Sequence, residues 1–168
     1  MKKNIITLLS ISLIALLFLS NCKKTEDETT PEAMTTAIIK GKVFADLNTA
    51  NDTTSNGFYQ LNNETAPAGT KIIVVVNAAD LVANPIAGHT YEDISFETTV
   101  DANGEYSVTV DAIAKTANYT IKAEDFAYDQ TVMDVYPNTK TTRKVFTAAD
   151  QTTTIVKNNT KVIDITYN

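Results

Sequence analysis

One thiol, one imidazole and no indole set the limits of the chemistry this sequence can perform. Cys22 stands alone, so no intramolecular disulfide can form, and a zinc site of clustered Cys and His has no donors. His89 lies in Gly88-His89-Thr90, the composition of a solvated turn. Beyond Cys22 the serines are Ser55, Ser95 and Ser107. None sits in Gly-x-Ser-x-Gly, and the last two fall on alternating apolar and polar runs, so no nucleophile stands beside a base. Carboxylates do come close in sequence: Glu92-Asp93, Glu124-Asp125 with Asp129, and the loop acids Asp46 and Asp52. Glycoside hydrolysis needs two carboxyls at a set separation across a deep cleft, which scattered acids in a small domain do not supply. Asp101, Asn103 and Glu105 offer alternating oxygens to calcium, but Gly104 breaks the EF-hand order and no bidentate Glu closes the loop. A turn explains the same residues. The expectation is a non-enzymatic chain without catalytic residues, metal or cofactor.

The aromatic residues offer a different kind of site. Seven tyrosines are spread along the chain, which suits strand faces and core. Phe58-Tyr59 in a long polar loop, with Tyr128, form the candidate ligand patch. Asp52-Thr53-Thr54 resembles a bacterial O-glycosylation acceptor, with Thr53 as the modified residue. The balance of 14 Lys and Arg against 20 Asp and Glu, a formal net charge of −6, disfavours a phosphate-binding surface and therefore nucleic acid.

Cys22 gains meaning from what precedes it. Lys2-Lys3 is a basic start, Ile5 to Leu19 is an uncharged apolar run, and Leu19-Ser20-Asn21-Cys22 follows. Fifteen residues at about 1.5 Å each reach roughly 22 Å, short of a ~30 Å hydrocarbon core. An export signal explains the segment better than a membrane span. The segment resembles a bacterial lipoprotein signal, in which the Cys becomes the lipidated first residue of the mature chain; Asn21 departs from the usual small residue. That resemblance implies a signal peptide over 1–21, and a lipid anchor at Cys22 whose acyl chains contribute about 0.8 kcal/mol per buried methylene. Residues 22–36 then read as a tether, since Lys23-Lys24-Thr25-Glu26-Asp27-Glu28 cannot bury enough to order itself. Lysines followed by an acidic cluster also resemble the signal that sends some lipoproteins to the outer face of the outer membrane.

The globular part, 37–168, must position everything else. Its apolar residues follow period two: Ile39, Gly41 and Val43; Ile94, Phe96, Thr98 and Val100; Tyr106, Val108 and Val110; Tyr119, Ile121 and Ala123; Ile163, Ile165 and Tyr167. Ile72 to Val76 is apolar at every position and β-branched throughout, which predicts a central strand covered on both faces. Asn103-Gly104 predicts a hairpin between its flanking strands, Asn158-Asn159 turns a last hairpin, and Tyr136-Pro137-Asn138 marks the end of a further run. Ala78 to Ala83 is the best helical candidate, and Phe58 to Leu61 reads as a short edge strand. Seven to nine short strands with such turns predict an all-β sandwich in one domain.

Ile39-Lys40-Gly41-Lys42-Val43, Pro67-Ala68-Gly69-Thr70-Lys71-Ile72 and Asp101-Ala102-Asn103-Gly104-Glu105-Tyr106 together resemble a carboxypeptidase-regulatory-like or transthyretin-like domain over most of residues 37–126. That resemblance implies an Ig-like sandwich used as an accessory or stalk module, with no catalytic residues to transfer. The expected function is therefore a lipid-anchored envelope protein serving as a surface spacer or protein-interaction module. A carbohydrate- or peptide-binding accessory of an outer-membrane uptake system is the alternative. The expected partners are the membrane, through the anchor, and an envelope protein or glycan.

Overall fold

A computed structural model describes residues 35–52 and 57–168. Eleven strand segments are present: β1 (Thr35–Ala45), β2 (Glu64–Thr65), β3 (Lys71–Asn77), β4 (Asp93–Thr99), β5 (Glu105–Ala112), β6 (Ala117–Ala123), β7 (Phe126–Met133), β8 (Thr139–Phe146), β9 (Gln151–Ile155), β10 (Thr160–Val162) and β11 (Ile165–Thr166). Three of them are only two or three residues long; the other eight fall within the expected number. The chain is an all-β sandwich, and its only helical turns among the described residues are short 3-10 segments at Thr49–Asn51 and Ala78–Leu81. The second lies where the helical candidate was expected. Pairing opens at Thr35, opposite Ala112, two residues ahead of the boundary read from sequence.

The first sheet is built around β1. β5 lies antiparallel along Thr35 to Lys42, and β2 takes over that side at Phe44 and Ala45. On the other side β10 and then β11 run parallel to β1. The second sheet has the order β4-β3-β6-β9, antiparallel throughout. Alternation decides what meets between them. Ala37, Ile39, Val43 and Ala45 of β1 and Tyr106, Val108, Val110 and Ala112 of β5 share one buried cluster with Ile72, Val74 and Val76 of β3 and Ala117, Tyr119 and Ile121 of β6. Burying a side chain of this size contributes about 1.5–3 kcal/mol.

The apolar run in β3 is central, but only one of its faces is fully covered. Ile72, Val74 and Val76 are in the core, whereas Ile73 and Val75 are half-buried on an outer face. Their neighbours there are Glu97, Ser95, Lys122 and Thr120, so the outer layer is polar, and no second set of elements among the described residues covers it.

Both predicted Asn turns form, yet neither closes a hairpin. Asp101 donates its N–H to the Glu105 carbonyl at 2.8 Å and Gly104 donates to Asp101 at 3.1 Å, with Gly104 at φ +76. This is a type I turn with a left-handed residue behind it. Beyond the turn the strands part: β4 pairs with β3 in the second sheet, β5 with β1 in the first. Asn158, at φ +62, likewise carries the chain from β9 in the second sheet to β10 in the first. In both cases each strand finds its apolar face satisfied by a different sheet, and the turn becomes a crossing.

The expected strand through Ile163 and Tyr167 is broken at Ile163-Asp164, and Gly41 is the reason the break fits. A Cβ on Gly41 would lie 1.9 Å from the Ile163 carbonyl oxygen. That oxygen accepts the Tyr106 hydroxyl at 2.8 Å, and Asp164 Oδ1 accepts the Lys42 N–H at 2.8 Å.

β7 and β8 form a two-stranded sheet of their own, paired from Phe126–Phe146 to Met133–Thr139. Its base joins the core through Phe126, stacked on Phe146 at 5.2 Å and edge-on to Tyr167 at 4.8 Å.

Candidate functional site

The loop that leaves β1 is ordered by its own polar groups. Glu64 Oε2 accepts the N–H groups of Leu47 (2.9 Å) and Asn48 (3.0 Å), and Oε1 accepts Asn51 Nδ2 at 2.6 Å. Asn48 Oδ1 caps the turn Thr49–Asn51 by accepting from Ala50 at 3.2 Å. Asp52 is buried; its Oδ1 accepts the Asn62 N–H at 2.8 Å and its carbonyl accepts the Gln60 N–H at 2.8 Å. These bonds hold Phe58 to Leu61 without making it an edge strand. The strand falls at Glu64–Thr65 instead, because backbone groups on either side of Leu61 are engaged by Asp52.

The same loop docks on β7. Asn48 bridges to Thr131, Thr131 donates its N–H to the Leu47 carbonyl at 3.0 Å, and buried Gln130 donates from Nε2 to the Asp46 carbonyl at 2.6 Å. The segment that carries Phe58 and Tyr59 is therefore anchored beside the hairpin. At the hairpin tip Asn138 donates to the Val135 carbonyl at 2.7 Å, and Asp134 donates to the Asn138 carbonyl at 3.0 Å.

Exposed apolar side chains concentrate on these two pieces. Among the described residues thirteen large hydrophobics are exposed, and eight of them are Phe58, Tyr59, Leu61, Tyr128, Met133, Val135, Tyr136 and Val145. Phe58 is 73% exposed, Tyr59 75% and Tyr136 85%. An exposed aliphatic residue alone is ordinary, whereas a concentration with aromatics marks an interaction surface. Tyr, Phe, Met and Arg are also the types enriched where proteins meet, and this hairpin carries Arg143. Of the hairpin half of this surface the sequence points to Tyr128 alone; the signal for the rest is Val135-Tyr136-Pro137, apolar residues inside a turn.

Tyr128 lines a groove that the other two residues of the expected patch, Phe58 and Tyr59, do not line. It is 39% exposed and shares this groove of about 320 Å³ with Pro67 to Lys71, Glu124, Asp125 and Phe126. A larger basin of about 590 Å³ lies over the outer face of the first sheet. Its polar groups serve each other: Lys42 pairs with Glu105 at 3.6 Å, and Asp164 holds the Lys42 N–H. Cys22 and Thr53, the predicted lipidation and glycosylation residues, lie outside the described residues.

Two of the acids serve the turns and strand ends around them. Asp101 Oδ1 accepts the N–H groups of Asn103 and Glu105, both at 2.8 Å; the Glu105 bond foremost holds its carboxyl below the usual range. Asp80 is lowered too, chiefly by the backbone N–H and then the amide of Asn118. Asp46 is shifted upward, first by burial and then by the charges of Asp52 and Glu64, and its Oδ1 has no hydrogen-bond partner. His89 packs edge-on against Tyr91 at 4.7 Å in its loop. No group of three His, Cys, Asp or Glu among the described residues is placed to hold a metal ion.

No family model matches the chain, and no curated protein does. The solved structures similar to this chain include two from unrelated sources. One is a proposed carbohydrate-binding protein of Pseudomonas aeruginosa: 14% identity over 79% of this chain and 89% of that one, TM-score 0.37. The other is the major plantain pollen allergen Pla l 1: 13% identity over 79% of this chain and 92% of that one, TM-score 0.35.

Proposed function

We propose that this chain is a non-enzymatic, lipid-anchored protein of the bacterial outer membrane, displayed at the cell surface as a spacer and protein-interaction module. The observation that supports the interaction role is the concentration of exposed Phe58, Tyr59, Leu61, Met133, Val135 and Tyr136 on one loop and one hairpin that dock together. The anchor rests on Leu19-Ser20-Asn21-Cys22 behind a basic, apolar start. In this reading the acyl chains on Cys22 hold the domain, the charged segment after it gives reach, and the hairpin end meets the partner. The sandwich is of the transthyretin-like kind, built on a Gly41-bearing first strand. Fatty-acid labelling of cells making the native chain or Cys22→Ser tests the anchor. Label and membrane fractionation must both disappear in the variant; a Cys22→Ser chain that stays membrane-bound, or a native chain without label, contradicts it.

A glycan- or peptide-binding role is a second reading, favoured by the groove that Tyr128 lines with Glu124 and Asp125. Stacking on an aromatic face combined with carboxylate acceptors is how small concave sites orient a polar ligand. Tyr128→Ala abolishes glycan retention if this groove is the site, and leaves it unchanged if it is not.

A further inference from the structure

The β7–β8 hairpin is short of one strand. Thr139 to Arg143 are exposed at every position, so neither face of that part of β8 is covered, and a two-stranded ribbon with open faces is marginal in water. β7 is supported on its far side by the loop at Asn48. β8 pairs with β7 and with nothing else among the described residues. Its edge is cationic: Lys140, Arg143 and Lys144, with no acid on the strand. Such an edge rejects a copy of itself, because like charges would stand opposite one another.

It does not reject β4. That strand is the outer edge of the second sheet and carries Asp93 and Glu97, four residues apart on one face, as Lys140 and Lys144 are on β8. Laid antiparallel, Asp93 meets Lys144, Ser95 meets Thr142 and Glu97 meets Lys140, all on one face. Ile94, exposed at the sheet edge, meets the aliphatic stem of Arg143 on the other. Within the chain Lys140 and Glu97 pair with Asp134 and Lys71, exposed pairs that exchange at little cost. Asp93 accepts the Asn77 amide at 2.9 Å and Lys144 lies over the Phe146 ring at 4.5 Å, contacts that the new pair replaces. We propose that β8 of one copy adds to the β4 edge of a second copy, joining sandwiches head to tail at the membrane surface. The two edges belong to different sheets, so the contact is heterologous and propagates into a chain or ring. Five paired residues make a small interface, and attachment to a common bilayer supplies the effective concentration it needs. This rests on the proposed interaction role and names its partner.

Residues directly opposite on paired strands lie about 4.5–5.5 Å apart at Cα, within disulfide range. The test uses full-length chain in intact cells carrying Ser95→Cys with Thr142→Cys. Mild oxidation is expected to give a ladder of linked copies, at least tenfold stronger than Ser95→Cys with Thr141→Cys, which places the second sulfur on the opposite face. Adding Asp93→Lys and Glu97→Lys abolishes the ladder, and further adding Lys140→Glu and Lys144→Glu restores it, which also shows that the variants fold. Absence of a ladder, equal ladders for both cysteine pairs, or a ladder indifferent to charge reversal overturns the proposal. If the ladder fails while a photo-crosslinker at Tyr136 still captures a protein, the strand pairing falls and the interaction role stands.

Discussion

Gln130 reaches from β7 to the Asp46 carbonyl at 2.6 Å, and that bond ties the hairpin to the loop leaving β1. Gln130 is buried, so removing its amide leaves a carbonyl without a partner. Gln130→Leu is expected to cost about 1–3 kcal/mol. Hydrogen exchange should localise the loss to Thr131, whose N–H is held by Leu47, with the β3 amides still protected. Uniform loss of protection across both sheets contradicts a local tie.

The sandwich was legible in the sequence because its core strands alternate. Tyr106, Val108 and Val110 point inward as their spacing requires. Partnership was not legible. Asp101 to Gly104 encodes a tight turn, but whether the next strand pairs back or crosses to the other sheet depends on which apolar face is vacant across the core. β8 escaped because Thr139 to Arg143 is polar on both faces, leaving no period to detect. The candidate site was half visible: Phe58 and Tyr59 announce themselves as aromatics in a polar loop, whereas the hairpin that carries Tyr136 is tied to that loop by a contact between residues 48 and 131.

Asp46 makes a testable link to pH. Its folded pKa lies above the ordinary 3.8, through burial first and then the charges of Asp52 and Glu64, with Lys144 opposing. Protonation therefore favours the fold: the contribution is complete below the unfolded value and is lost as pH rises through the folded one. Asp46→Asn is expected to raise the unfolding midpoint at pH 7 and to leave it unchanged near pH 3. A lower midpoint at pH 7 contradicts the assignment.

Gly41 and Gly69 separate two reasons for glycine. Gly41→Ala drives a Cβ into the Ile163 carbonyl, displacing the break between β10 and β11 and the Tyr106 bond; a loss of about 3 kcal/mol is expected. Gly69, at φ +91, has open space around it, so Gly69→Ala costs only the left-handed conformation, about 1–2 kcal/mol. Urea denaturation ranks the two, and a reversed order contradicts the close-approach argument.

Three phenols should ionise last. Tyr106, Tyr119 and Tyr167 donate to the carbonyls of Ile163, Asp111 and Glu124, and burial foremost pushes each from 10.0 up to about 12. Neighbouring acids add to each shift: Asp164 for Tyr106, Asp111 and then Asp80 for Tyr119, Asp125 and then Glu124 for Tyr167. Raised folded values stabilise the fold fully below pH 10 and are lost as pH climbs toward 12. Ultraviolet titration should show these phenols ionising together with alkaline unfolding; ionisation near pH 10 in a chain that remains folded contradicts their burial.

The interaction role is tested most directly by placing a photo-activatable residue at Tyr59, Tyr136 or Thr152 of the full chain in intact cells. Thr152 lies on the outer face of the second sheet, on neither the hairpin nor its docked loop. Defined protein adducts at 59 and 136, with none at 152, are the predicted result. Adducts at 152 alone, or at none of the three, contradict an interaction surface built from the hairpin and its docked loop.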